Sequence, residues 1–304
     1  MNLQKVSIGL IQTVSLLLVL FLSKLLPLEG FMVLVAAMTL THYICSLYYS
    51  APALLGMFQS RRGLLNILGM ILLVYFSFRF QQPGLLFYFG LHHSLSETWV
   101  LQKQLPHYSI SSTRSLFMIR FAFHSVVYAH LSKTSGMMDF ISHEDIFIAL
   151  CAMSVLYLAV VMFSRLPDRS KDNLFISDGL FIFLALMAYY DVLKFDFFML
   201  DLYHCIYWIL LPVVGLHWRE GTKASTRFFG MNVVLALGSG MFFYILNRLV
   251  PSPMQDGMSS LVRDFLTMGG YIHIGMGFFL LNVNHFRWRK NPEAPLERPI
   301  RLPI

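Results

Sequence analysis

The sequence predicts an all-α, polytopic integral membrane bundle of about ten transmembrane helices, with both termini cytoplasmic. Three observations predict it. Of the 304 residues, 57% are hydrophobic and 13% charged, about half the charge of a typical soluble domain, and mean hydropathy is +0.63. The apolar residues fall in blocks of about 20, the length that carries a helix across a bilayer. The basic residues between the blocks alternate in density from loop to loop, as the positive-inside rule requires. Such a composition excludes a soluble globular enzyme, a disordered chain and a nucleic-acid-binding module. The net charge of +7 is therefore read as an orientation signal and not as the footprint of a nucleic-acid partner.

In chain order the predicted spans are 6–27, 31–57, 64–80, 84–103, 115–131, 145–165, 173–191, 196–217, 228–248 and 264–284. The first ends in Lys24-Leu25-Leu26-Pro27 with no small-residue cleavage site, so it is a helix and not a signal peptide. The second is long and contains Pro52, and the third and fifth are short. With the N-terminus, the even-numbered loops and the C-terminus on one side, that side collects 16 of the 23 Lys and Arg. Six lie opposite, and Arg120 falls inside the fifth span. Nine or eleven spans would part the basic C-terminus from Lys5 and weaken the asymmetry. Residues 1–286 thus form a single transmembrane domain. Residues 287–304 form a basic tail with Pro292, Pro295, Pro299 and Pro303, an extended cytoplasmic segment suited to anionic lipid. Short loops leave no room for an extramembrane domain and point to a bacterial inner (plasma) membrane. The three cysteines, Cys45, Cys151 and Cys205, have unrelated spacings and make no disulfide or zinc framework. No internal repeat is visible, which argues against the inverted-repeat transporters.

Eleven histidines are out of place in a chain that avoids polarity. His107 and His143 lie in predicted loops, and His130, His217 and His285 at span ends. Those five are interfacial. The other six are deep: His42, His92, His93, His124, His204 and His273. At 1.5 Å per residue they fall within roughly 6 Å of one another along the membrane normal. Five helices thus offer imidazole at one level, the way bundle metal sites are built. His92 and His93 point about 100° apart, so one of the pair can face elsewhere.

Glu97 follows His93 by four residues and shares its helix face. A carboxylate at that depth is costly unless paired, protonated or on a metal, so Glu97 joins the candidate ligands and is also a candidate catalytic group. Asp201 precedes His204 by three residues and is either a ligand or the acceptor that orients the His204 ring. Tyr88, Tyr128 and Tyr203 are hydrogen-bonding candidates, with Tyr128 the catalytic candidate among them. Arg120 lies one turn from His124. It either snorkels to the interface or pairs with an anionic substrate group, with Asp178 as an alternative partner. Gly270, His273 and Gly277 are spaced so that another helix or a cofactor can approach His273 closely.

Imidazole suits iron, copper, zinc and nickel. Several His, one carboxylate and no thiolate cluster fit non-haem iron best, with haem or copper as alternatives. Neutral imidazoles keep the charge low in the bilayer, and open positions admit O₂, which partitions into lipid with an apolar substrate. The expectation is a membrane oxygenase or oxidoreductase that oxidises a lipid- or isoprenoid-like molecule, served by a redox partner. The HxxxH and HxxHH boxes of membrane desaturases are absent.

The stretch Phe87-Tyr88-Phe89-Gly90-Leu91-His92-His93-Ser94-Leu95-Ser96-Glu97 resembles an aromatic-rich F-x-L-x-H-S segment of the bacterial membrane β-carotene dioxygenases (Brp/Blh-like). That resemblance implies an integral membrane enzyme with iron held by intramembrane His, cleaving a carotenoid to retinal. It carries over His93 alone as a ligand. It covers about 11 of the 304 residues. The family has fewer spans, and its His-Gly…Asp motif is missing; Thr41-His42-Tyr43-Ile44-Cys45 is the nearest segment. Two further readings follow from the same residues. Two deep His could ligate a b-type haem, or the polar layer could pass protons or a metal ion as a transporter. The second has a thin polar path, since only Asp178, Arg120 and Asn66 lie deep on the cytoplasmic side. A structural membrane subunit would leave the common depth without a reason.

Overall fold

The computed structural model describes residues 8–59, 61–79, 89–90, 92–94, 96, 110–134, 136, 141–164, 166–249 and 260–276. Among these the chain is helical, with no strand. The helices are α1 (Ile8–Leu25), α2 (Leu28–Met57), α3 (Arg61–Arg79), α4 (Ile110–Thr134), α5 (His143–Phe163), α6 (Asp168–Tyr189), α7 (Phe197–Glu220), α8 (Thr222–Leu249) and α9 (Ser260–Met276). Phe89, Gly90, His92, His93, Ser94 and Ser96 are helical too. Each of these helices falls on one of the predicted spans. Glu97, Tyr88, His107, His285, Gly277 and the basic tail lie outside the described residues.

Among the described residues, six helices are long and apolar enough to cross a membrane: α1, Leu28–Tyr48 of α2, α5, Ser170–Tyr189 of α6, Phe197–Trp218 of α7 and Thr222–Leu246 of α8. α3 offers a shorter apolar stretch, Gly63–Phe76. α4 interrupts its apolar residues with Arg120, His124 and His130. The surface matches a lipid solvent. Leu17, Phe21, Val155, Phe163 and Leu237 are exposed, whereas Arg120, His124, Asp178, His204 and His273 are buried. A soluble protein inverts that arrangement.

α7 is the central helix. Of its apolar span 61% is buried, against 17% for that of α8, which therefore lies at the perimeter. α7 packs on α1, α2, α4 and α8, and α2 also receives α3, α8 and α9. Local chemistry sets the ends of α7. The Asp196 carboxylate accepts from the Met199 N–H at 3.0 Å, capping the first turn. Gly221, at φ +86°, closes the last turn with its N–H on the His217 carbonyl at 3.1 Å, a left-handed conformation in which a Cβ is strained. Between helices in lipid, burial of apolar surface is no driving force, because the tails are as apolar as leucine; packing and hydrogen bonds hold the bundle instead.

Two close approaches depend on missing side chains. A Cβ on Gly90 would collide with the Ser125 side chain of α4, so Gly90 lets the segment carrying His92 and His93 lie directly on α4. A Cβ on Gly269 would sit 2.9 Å from the Tyr43 ring, and one on Gly270 would sit 2.8 Å from the Tyr43 Oη. The bare strip beside His273 is thus filled by an aromatic ring from α2.

Candidate metal centre

The deep histidines meet, and they divide into two neighbouring groups. The first is made of His42 (α2), His92 (the segment before α4), His204 (α7) and His273 (α9). One ring nitrogen from each lies within 4.8 Å of the other three. His42 Nε2 is 3.1 Å from His273 Nε2, and His92 Nε2 is 3.2 Å from His204 Nε2. His92, His204 and His273 are buried and His42 partly so.

Four imidazoles on one tetrahedral ion, at metal–nitrogen distances of about 2.0–2.1 Å, place their nitrogens about 3.3 Å apart and their ring centroids about 5 Å apart. The observed centroid separations are 4.5 Å for His42–His273, 5.1 Å for His42–His204, 5.0 Å for His92–His204 and 4.9 Å for His92–His273. The group could therefore hold a metal ion. His92 Nδ1 and His273 Nδ1 are buried with no hydrogen-bond partner among the described residues. At those two rings it is the Nε2 atom that faces a partner imidazole.

Tyr43 holds this group from the side. Its ring stacks on His273 at 5.3 Å and 26°. Its hydroxyl donates to the Leu266 carbonyl at 3.3 Å, two turns before His273 in α9. Because Tyr43 follows His42, the same ring fixes α2 and α9 at the level where His42 and His273 meet. Sequence reasoning passed over Tyr43. Its signal was an aromatic neighbour of a deep histidine facing a Gly-Gly pair.

The second group is built on charge. Asp178 (α6) accepts from Arg120 (α4) at both oxygens, Nε to Oδ2 at 3.1 Å and an Nη nitrogen to Oδ1 at 3.0 Å. Tyr157 (α5) donates to the same carboxylate. His124 Nε2 lies 3.4 Å from Asp178 Oδ1, and His124 Nδ1 lies 3.0 Å from Ser94 Oγ. Asp178 and Arg120 are 0% and 2% exposed. The choice left open for Arg120 resolves to the pair with Asp178, and not to the interface. Such a bidentate pair is the geometry that compensates buried charge. Tyr157 was passed over in the sequence although it is a lone deep phenol in an apolar run.

His93 stands between the groups. Its Nδ1 meets Tyr128 Oη at 3.1 Å, and its ring centroid is 4.5 Å from His124 and 5.8 Å from His204. Of the adjacent pair, His92 faces the four-imidazole group and His93 faces Tyr128 and His124. Asp201 accepts from Thr39 at 2.7 Å; Thr39 also lies 2.8 Å from the Val35 carbonyl. No hydrogen bond joins Asp201 to the His204 ring among the described residues. The acceptor role read for Asp201 is thus taken up toward α2. His217 is exposed at the end of α7.

Comparison with known protein families, with characterised proteins and with solved structures returns no match. The chemistry of the site rests on its residues.

Proposed function

We propose that His42, His92, His204 and His273 hold one metal ion, and that the protein is a membrane-embedded, metal-dependent oxidoreductase. The observation that carries this reading is the convergence of four imidazole nitrogens, from four separate segments, within 4.8 Å. Non-haem iron is the preferred ion and copper the alternative, since imidazole serves both. When bound, the ion would activate O₂ for oxidation of an apolar, lipid- or isoprenoid-like substrate.

The chain's own residues supply the setting. The four neutral rings add no charge to the bilayer interior. Tyr43 fixes the separation of α2 and α9. The Arg120–Asp178 pair, with Tyr157, anchors His124 and through it the wall occupied by His93 and Tyr128. Tyr128 is the hydrogen-bonding group nearest to His93 and remains the candidate for contact with substrate. Haem is the poorer fit, because a b-type haem takes two axial imidazoles, whereas four converge here in two close pairs, with Nε2 atoms 3.1 and 3.2 Å apart. The resemblance to the carotenoid-cleaving enzymes carries only His93, which stands outside the four-imidazole group. The apolar substrate class therefore rests on the lipid setting.

Elemental analysis of the detergent-purified protein, with a visible spectrum, tests the proposal. About one iron or copper per chain without a Soret band is expected. A metal-free protein with full activity would end it.

A further inference from the structure

A second pair of histidines lies at the end of the bundle, away from the four-imidazole group. His130 is in the last turns of α4, and His143 opens α5 just after its cap, where Ser142 Oγ accepts from the Asp145 N–H at 3.0 Å. The His130 ring is fully buried, at 0% exposure. Its Nε2 lies 2.9 Å from the carbonyl oxygen of Ala185 in α6. A carbonyl can only accept, so the ring's proton is on Nε2 and Nδ1 carries a free lone pair. That Nδ1 is buried with no hydrogen-bond partner among the described residues.

An imidazole whose N–H is tied to a backbone carbonyl, with its other nitrogen bare, is the arrangement found in metal-ligating histidine. A buried acceptor without a partner costs free energy, which a cation at Nδ1 would offset. The second ring is in place. The His143 centroid is 5.5 Å from that of His130, with the planes at 83°. Two imidazoles on one ion at about 2.0–2.1 Å have centroids about 5–5.5 Å apart for ligand angles of about 110–120°. Tyr189 closes one side, 5.2 Å from His143 and stacked at 3.7 Å on Phe147. His143 is partly exposed, so one face is open to water.

We infer that His130 and His143 form a separate binding site for a borderline divalent cation such as Zn²⁺ at the edge of the bundle, with His130 Nδ1 as the buried ligand, His143 as the exposed one and water in the remaining positions. The site is independent of the four-imidazole group and stands whether or not that group binds metal.

Zn²⁺ titration of the purified full-length protein against a chelating indicator tests it. Three proteins are compared: the parent, His143→Ala and His130→Gln. The Gln amide keeps a donor toward the Ala185 carbonyl while removing the Nδ1 lone pair. His143 is partly exposed, so its loss leaves the core untouched. The parent is expected to bind one Zn²⁺ that each variant binds about 10-fold or more weakly. The metal content of the four-imidazole group and the elution volume should not change in either variant. Equal Zn²⁺ affinity in parent and His143→Ala would overturn the inference, as would a parent that binds no Zn²⁺. In either case His130 is only a link between α4 and α6.

Discussion

Each of the four converging imidazoles should matter singly. Replacing His42, His92, His204 or His273 by Ala is expected to lower affinity for the bound ion by about 10-fold or more, read as metal retained after dialysis against a chelator. His217→Ala, exposed at the end of α7, is the control and should retain the parent's metal. A different outcome belongs to the charged pair. Removing Arg120 alone leaves Asp178 ionised and buried beside Tyr157 and His124. Arg120→Met is therefore expected to cost about 3–5 kcal/mol, and Arg120→Met with Asp178→Leu distinctly less. Thermal midpoints in detergent read the comparison. Equal losses in the single and double variants would mean that the two residues are not an energetic unit.

Residue depth was legible in the sequence because a helix converts position into height. That was enough to bring His42, His92, His204 and His273 to one level. Azimuth was not legible. Adjacent histidines point about 100° apart, and only the packing of the segment on α4, allowed by Gly90, turns His92 to the metal group and His93 to Tyr128. Asp201 illustrates the same limit: its spacing from His204 was visible, but its partner, Thr39, is on another helix. Tyr43 and Tyr157 act across helices in the same way, and one helix face carries no record of what meets it.

At the scale of the element, α2 and α9 are held together by a ring lying on two glycines. Gly270→Ala would press its methyl on the Tyr43 hydroxyl and Gly269→Ala on the ring itself. Overpacking of this kind costs about 1–3 kcal/mol and should part His42 from His273. Both variants are expected to lose metal affinity. Tyr43→Phe removes the hydroxyl but keeps the ring, so it should rescue Gly270→Ala and not Gly269→Ala. Rescue of both, or of neither, would show that Tyr43 does not set the helix spacing. The helices were read from apolar block length, and their positions agree with the described ones because propensity and burial coincide in lipid. Helix-to-helix order was not readable. Nothing in the apolar runs distinguishes the central α7 from the peripheral α8, since both consist of residues that suit lipid and protein equally well.

For the whole molecule, the charge bias proposes ten spans with both termini on the cytoplasmic side. Six of the described helices meet the length and apolarity of a span. The remaining crossings rest on α3, α4, α9 and the stretch around His92. Single cysteines at position 2 and position 300, in a background lacking Cys45, Cys151 and Cys205, test the arrangement with an impermeant thiol reagent. Both should be protected in intact cells and labelled after permeabilisation. Labelling of one terminus only would require an odd number of crossings and a different assignment of the loops.

The central claim is that four helical segments deliver their imidazoles to one metal ion. The most direct measurement is the metal content of purified protein compared with that of the His42, His92, His204 and His273 alanine variants, taken with the visible spectrum. About one iron or copper per chain in the parent, with no Soret band and a marked loss in each variant, is the predicted result. Undiminished metal in all four variants, or an active protein that contains none, would contradict it.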